Sequence, residues 1–594
     1  MQCGAGQAKA WVSFMADKAY RVVQRTDELR RILAIPRRSW DGAEIARELT
    51  AALKTNRGTQ ELRPIQAQAL YELGVKGGAF CPIRVGGGKT LLSLLAPAVT
   101  CAKRPLLLLP AKLREKTRIE AWVGRTLPDG TRIEPLSYHW RIPRHLRIES
   151  YEQLSVASSS SMLMHYRPDL LILDEAHKCR RVGDAARAKR IRRYVEDIGC
   201  MVLAMSGSFT NGSIRDLADL LAWSVADCPL PQVWSELQDW SDACEEDSRC
   251  GIGALSDLGA FDAQSARQVI RERINATTGV VASTDASLPI SLNVCEVLIP
   301  LHSEVLEGFK HLRGVKDDDR YPGWMRPDGW PLQDKIAIGA LAQQISLGFY
   351  YIWDPEPPKE WLVPRKRWNQ VCRRVLRTNR RELDSELQVI QEIRRGGYDG
   401  HTVEIDGKDI VVTEALETWK KVEDTYEPTV KPVWLTDAVV RQCAEWLKGG
   451  GMIWTKYVHF GLALEAKTGL PYFGDEGKDR RGVFIEDAHG APCIASIESN
   501  FEGRNLPAWD RGLVTTPPAS GDRWEQLLGR FHRDGQKADE VTYDVLNGCA
   551  EHIEAFEKAQ MKAGKIQDLT GQEQKLCYAS VSYGNRERDI RYER

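Results

Sequence analysis

The chain has 594 residues, with 82 Lys+Arg balanced by 82 Asp+Glu. That length implies about three or four domains and a large core, while the balance excludes a global basic field, so any nucleic-acid surface has to be a local groove. Fourteen cysteines are scattered without a C-x-x-C pair, which argues for reduced thiols and against a zinc ribbon or a disulfide framework. No basic-then-apolar leader occurs, and no apolar run approaches the ~18–20 residues needed to span a bilayer. The expectation is a soluble, cytoplasmic protein with no membrane partner.

In chain order, residues 1–45 are mixed helical and basic and read as an N-terminal cap. ELRPIQAQAL (Glu61 to Leu70) follows; the Gln66 amide offers a donor and an acceptor together, which matches an adenine edge. IRVGGGKT (Ile83 to Thr90) then leads into the helix-like run TLLSLLAPAV. Its glycines Gly86, Gly87 and Gly88 can turn several backbone N–H groups toward a phosphate chain, and the helix that starts at the lysine adds its positive end. Lys89 is placed for the β/γ-phosphates of ATP and the Thr90 hydroxyl for Mg²⁺. The longer form of this pattern has glycine where this chain has Ile83.

RPLLLLPAKL, RIESYEQL and LLILDEAH are short apolar runs with helical stretches between them, the alternation of a parallel α/β sheet. Ligands gather beyond the carboxyl ends of such strands. Asp174 and Glu175 fall at one such end, Asp174 to hold Mg²⁺ and Glu175 to orient and deprotonate a water. MVLAMSGSFTNGSIRDL gives another strand and a small polar turn, with Ser206, Gly207 and Ser208 near the expected γ-phosphate edge. Near the far end, RWEQLLGRFHRDGQ sets Arg530 and Arg533 three residues apart on one helical face, where two guanidiniums can fork onto phosphate oxygens. Gln526 and Gln536 flank them.

RPIQ, GGGKT, LLLLPAKL, ESYEQL, DEAH, MSGSFTNGSIRDL, SIESNFEGRNL and QLLGRFHRDGQ occur in the order of the superfamily 2 helicases and translocases. The chain most resembles the Swi/Snf-like branch, through Gly207, Asn211, Asp216-Leu217 and the block from Gln526 to Gln536; RINATTGVVASTDASLP is similar to that branch's crossing between lobes. The resemblance covers about residues 58–290 and 431–547 and implies an α/β fold of two RecA-like lobes with parallel sheets. ATP would lie in the cleft, contacted by Gln66, the glycine loop, Gln526 and Gln536, with DNA running across both lobes. Ser206, Gly207, Ser208, Gly503 and Arg504 would couple the lobes; the paired glycines usual before Leu-Asn-Leu are replaced by Glu502-Gly503-Arg504, where Arg504 is placed to meet a phosphate.

The division expected is a cap at 1–45, an ATP-binding lobe at 46–225, a largely helical, Trp-rich insertion at 226–430, a second lobe at 431–550 and a charged, helical tail at 551–594 whose last stretch, NRERDIRYER, is expected to be mobile. Within the insertion, Arg365, Lys366, Arg367 and Trp368 interleave cations with aromatics, the pattern of a strand-contacting element; an aromatic core under a solvated basic face reads equally from the same residues. The insertion resembles those of phage-encoded members. The function expected is an ATP-dependent DNA helicase or duplex-DNA translocase, a nucleic-acid-stimulated ATPase. A nucleotide-gated DNA-binding scaffold and an RNA helicase are the alternatives, and no protein partner is indicated.

Overall fold

The computed structural model describes residues 21–592 apart from 39–41, 85, 127–130, 157–160, 181–185, 208, 247, 249, 284–289, 331, 333–334, 379–385, 395, 428, 502 and 585–589. The short apolar runs form one sheet from β1 (Gly78–Pro82), β2 (Pro105–Leu109), β3 (Arg147–Ser150), β4 (Leu170–Asp174) and β5 (Met201–Ser206). Their order is β1-β5-β4-β2-β3, and every pairing is parallel. Alternate side chains serve two cores. Leu106, Leu108, Leu171 and Leu173 pack on one face, Leu107, Leu109, Leu170 and Ile172 on the other. A sheet buried on both faces therefore reads as an unbroken apolar run. Helices α1 (Pro64–Lys76), α2 (Lys89–Val99) and α3 (Ala111–Arg118) follow the first lobe's connections.

After helix α4 (Ala263–Asn275), residues 279–283 run beside β1. Phe80 N–H donates to the Gly279 carbonyl (2.7 Å), Val281 N–H to Phe80 (3.0 Å) and Ser283 N–H to Pro82 (3.0 Å). The chain then crosses to a second sheet. It is built from β6 (Ser291–Leu298), β9 (Met452–Thr455), β10 (Tyr472–Phe473), β11 (Cys493–Ser496), β12 (Arg511–Val514), β13 (Glu540–Asn547) and β14 (Ser580–Ser582). Their order is β10-β11-β9-β12-β13-β6-β14, again all parallel. The intervening β7 (Phe349–Trp353) and β8 (Val430–Trp434) form an antiparallel pair. The fold class read from the sequence is borne out: two α/β lobes with parallel sheets and a largely helical insertion.

The expected boundaries need correction. Residues 226–290 do not begin the insertion, because Trp240, Leu255, Ile270 and Ile274 share the first lobe's core with Leu171. Residues 291–298 are β6, paired along its whole length with β13 of the second sheet. The insertion proper is framed by β7 and β8. It carries helix α5 (Lys359–Thr378), a hairpin from Thr402–Ile405 to Lys408–Val411 and a helix at Val412–Lys420. The mobility expected of NRERDIRYER falls largely on residues outside the described ones, but the described part of the charged region after 550 belongs to the fold. Following helix α6 (Gly521–Leu528), it forms the long helix α7 (Ala550–Thr570), which buries Phe556, Ala559 and Ala563 in the second core and Leu569 in the first. Arg591 is buried too, its backbone carbonyl accepting from Ala550 N–H at 3.1 Å. Of the cap, the helix Asp27–Ala34 packs Leu29 and Ile32 into the first core. Among the described residues no helix is long and apolar enough to cross a membrane.

Phe556 is fully buried with its ring edge-on to Trp524, centroids 5.4 Å apart. Phe556→Ala is expected to cost about 3–5 kcal/mol in urea unfolding. A loss under about 1 kcal/mol would show that α7 is not part of the core.

Candidate functional site

The loop between β1 and α2 is built around one close approach. Gly88 has φ 82°, and a Cβ there would lie 2.0 Å from Gln66 Nε2, so only glycine fits at this point. Gln66 is buried at the start of α1. Its Oε1 accepts from Arg63 N–H at 2.9 Å and its NH₂ donates to the Gly87 carbonyl at 3.4 Å. The amide expected to read adenine is thus engaged in bracing the glycine loop. Gly86 is exposed and Gly87 buried; Thr90 is the second residue of α2. Lys89 folds back on the loop, donating to the carbonyls of Ile83 (3.1 Å) and Arg84 (3.4 Å).

The acidic pair ends β4. Lys89 Nζ lies 3.9 Å from Glu175 Oε1, and His177 Nδ1 lies 3.3 Å from Glu175 Oε2. Ser206, fully buried at the end of β5, donates from Oγ to Glu175 Oε2 (3.3 Å) and lies 3.0 Å from His177 Nδ1. Tyr151 OH donates to the Asp174 carbonyl at 2.9 Å. Glu175 sits in the left-handed region at φ 53°, a strained backbone for a non-glycine residue. The two carboxyls titrate apart. Burial and the adjacent Glu175 charge push Asp174 up to about 7. Burial opposes ionisation of Glu175 as well, but Lys89 and His177 outweigh it and hold that carboxyl well below the usual range. Such a pair, with the Asp174 carboxyl raised despite the nearby Lys89 and His177, suits a divalent ion at Asp174. Among the described residues, no group of three or more His, Cys, Asp or Glu gathers as a metal-binding cluster.

From the second lobe, Arg530 contributes to holding Glu175 ionised. Arg530 is buried and donates from Nε to the Gln526 carbonyl at 2.8 Å. Both Arg530 and Arg533 donate to the Arg504 carbonyl, Arg533 at 3.0 Å. Arg533 Nε is buried with no hydrogen-bond partner among the described residues, an orphaned donor that suits an anionic oxygen. Beside it, Asp534 lies 3.9 Å from Arg63 and faces Gly86. Helix α6 ends at Leu528, so Arg530 and Arg533 do not share a helical face as expected but lie in the turn that follows it, and that turn comes against the glycine loop although the two segments are far apart in sequence.

Further contacts close the cleft. Lys112 and Lys116 of α3 donate to the carbonyls of Glu498 and Gly503, each at 2.9 Å. Gly503 has φ 71°, and a Cβ there would meet Leu113 at 2.2 Å, which fixes glycine at this crossing. Ser520 Oγ donates to Asn211 Oδ1 at 3.3 Å, and Arg180 lies 3.5 Å from Asp522. A cavity of about 650 Å³ opens between the lobes at the strand ends. Lys112, Lys178, Arg180, Arg187 and Arg523 line it with the carboxylates Glu152, Glu498 and Asp522, and none of the described residues among 83–90 does. Gly207 is buried after β5, and Ser208 lies outside the described residues.

Several expectations need correction. Gln536 does not face the cleft: its NH₂ donates to the Trp509 and Phe531 carbonyls (2.8 and 3.2 Å), and its Oε1 accepts from the N–H groups of Lys537 and Ala538 (2.8 and 3.0 Å). The amide's capacity is used up in closing its own turn. The Arg504 guanidinium is 3.2 Å from Glu486, a partner within its own lobe rather than a phosphate. Trp368 is buried among Val371, Val375 and Val389 and donates to Glu386 at 2.6 Å, so its faces are not free for bases. Arg365 lies over Trp361, 4.6 Å from the ring centroid, leaving Lys366 and Arg367 exposed. The sequence reading missed Arg63, Asp534, Lys112, Lys116 and Arg180. The i,i+4 lysines directly after an apolar strand were a usable signal; Arg63 and Asp534 carried none, since only folding brings them together.

No protein-family model and no curated protein matches the sequence. Among solved structures the chain is similar to the Sulfolobus solfataricus SWI2/SNF2 ATPase core in complex with dsDNA, at 12% identity over 86% of this chain and 98% of that one, with a TM-score of 0.29.

The raised Asp174 value has a sign that can be tested. An ordinary aspartate, at 3.8, loses its proton well before the folded site does at about 7. Stability carried by that proton is complete below the lower value and is lost as pH rises through the upper one. In metal-free protein, Asp174→Asn is expected to raise the unfolding free energy at pH 8 by on the order of 1–4 kcal/mol. At pH 4 the gain should nearly vanish. Equal gains at both pH values would exclude a charge penalty at Asp174.

Proposed function

We propose that the chain is an ATP-driven motor on DNA, a nucleic-acid-stimulated ATPase whose two lobes share one nucleotide. The observation that carries this reading is the meeting of the arginine-bearing turn with the glycine loop: Arg530 helps hold Glu175 ionised, Asp534 faces Gly86, and Arg533 brings an unsatisfied buried donor. Site groups from both halves of the chain are what conditional hydrolysis needs.

In this reading the glycine-loop N–H groups and Lys89 bind the phosphates of ATP. Thr90 and Asp174 would hold Mg²⁺, which when bound neutralises charge on the β- and γ-phosphates. Glu175 orients water for attack on the γ-phosphorus and takes its proton as the bond to the ADP oxygen breaks. Lys89 now sits 3.9 Å from Glu175 and weakens it as a base. When the ammonium turns to the phosphates, the carboxylate recovers basicity, so loading substrate arms the site. Arg530 and Arg533 neutralise charge on the transferred phosphoryl group. Their tie to the Arg504 carbonyl links them to the segment that meets α3 through Gly503.

DNA is proposed to follow the cavity at the strand ends, where Lys112, Lys178 and Arg187 from one lobe face Arg523 of the other, which is itself paired with Glu498 at 2.6 Å. Opening and closing of that gap over a turnover cycle would alternate the spacing of two grips on a strand. The insertion stands outside this path as a folded aromatic module.

Lys89→Ala is expected to lose nucleotide binding or turnover. Arg533→Ala should bind a fluorescent ATP analogue within about threefold of wild type yet lose turnover by about 10³-fold or more; retained hydrolysis would refute the assigned role. ATPase assays with single-stranded DNA, duplex DNA and RNA, joined to displacement of a third strand from a long duplex, test the motor itself. Stimulation by duplex DNA without strand displacement would instead identify a nucleotide-gated scaffold.

A further inference from the structure

The segment that follows α7 makes contacts on both sides of the proposed nucleotide site. Helix α7 itself bridges the lobes: Phe556 and Ala563 pack in the second core, while Asp568 pairs with the buried Arg267 of α4 at 3.1 Å and Lys565 lies 3.2 Å from Glu246. Just beyond its end, Gln572 is buried and donates from Nε2 to the Pro82 carbonyl and, at 3.3 Å, to Ser283 Oγ. Ser283 Oγ also accepts from Arg84 N–H at 3.1 Å. Pro82 ends β1, and the carbonyls of Ile83 and Arg84 are the ones that receive Lys89. Gln572 therefore grips the base of the glycine loop.

The next turn grips the other half. Gln574 is buried, and its Nε2 donates to the Gln572 carbonyl at 3.3 Å. Lys575 donates from its backbone N–H to Glu525 Oε2 (2.7 Å) and from Nζ to Glu525 Oε1 (2.8 Å). Glu525 is buried on α6, one residue before Gln526, whose carbonyl holds Arg530. Four residues, 572–575, thus connect the floor of the glycine loop to the helix that leads to the arginines. A double hydrogen bond from one residue to a buried carboxylate fixes position as well as charge.

We infer that Gln572 and the Lys575–Glu525 pair are positioning residues that set the glycine loop and the arginine turn in one catalytic register. This deepens the ATPase reading and rests on it. Hydrolysis requires donors from opposite lobes to be placed to within about 1 Å, and such misplacement can cost about 10²-fold in rate.

The test uses the full chain with three substitutions. Gln572→Glu keeps side-chain length but replaces the donor facing the Pro82 carbonyl with an acceptor. Lys575→Met removes the charge facing Glu525, and Lys575→Arg retains it. Two readouts are taken: hydrogen exchange of the peptide spanning residues 82–92 without ligand, and kcat against KM for ATP with duplex DNA. Gln572→Glu is expected to speed loop exchange by about tenfold and to lower kcat by about tenfold or more with KM within about threefold. Lys575→Met should lower kcat similarly while leaving loop exchange closer to wild type, and Lys575→Arg should recover most of the rate. A lowered melting temperature with unchanged kcat and unchanged loop exchange would overturn the inference. Because Lys575 is less buried than Gln572, Lys575→Met carries the test if Gln572→Glu does not fold. Wild-type protein without ATPase activity would sink the functional reading alone, since loop exchange still decides whether Gln572 holds the loop.

Discussion

Two carboxyls at the end of β4 face one ammonium. Lys89 lies 3.9 Å from Glu175, while burial and the Glu175 charge push Asp174 beside it up to about 7. Two adjacent carboxyls in a buried site cannot both be comfortable as anions, so the balance of charge between them constrains everything packed around the end of β4. The strained backbone at Glu175, the buried Ser206 and His177 around it and the tyrosine under Asp174 keep that arrangement from relaxing. The glycine loop, the second-lobe arginines and the connector after α7 are all arranged with respect to this point.

Holding such a site needs rigid walls. The first sheet provides them by burying alternate leucines in two separate cores, which fixes the strand ends from both faces. The second lobe repeats the device with Met452, Trp454 and Val514 on one side and Ile453, Leu513 and Leu546 on the other. Between the lobes the contacts are of another kind. They are mostly lysine, arginine and serine donating to carbonyls or short polar side chains, with Gly503 closing on Leu113. Polar contacts of this sort exchange with water at modest net cost, which suits surfaces that separate and rejoin. Helix α7 is the exception, since it has apolar anchors in both cores. Helix α7 is therefore an apolar link between the two lobes, beside their polar contacts.

The insertion shows how composition misleads when side-chain direction is unknown. Cations interleaved with tryptophans suit stacked bases, yet Trp361, Trp368 and Trp419 face inward and build a small core, with Arg365 laid over Trp361. On α5 the aromatics recur at helical spacing, which puts them on one face. That face turned out to be the buried one. What remains outward is Lys366 and Arg367.

The sequence by itself determined the parallel sheets, because strands covered on both faces must be continuously apolar, and it located the glycine loop, the acidic pair and the arginine pair, because each is a local pattern of charge and turn chemistry, though it put the arginines on a helix that in fact stops two residues before the first of them. It could not assign β6 to the second sheet or join the segment after 570 to the glycine loop. Those facts depend on partners hundreds of residues away, and a strand or a glutamine carries no mark of which distant surface will receive it. The fate of polar side chains was likewise decided by tertiary structure. Gln66, Gln536 and Arg504 have the chemistry to meet a nucleotide or a phosphate, and each is instead engaged with the fold. Hydrogen-bonding capacity is a property of the residue, but whether any remains for a ligand is settled only once the neighbours have arrived.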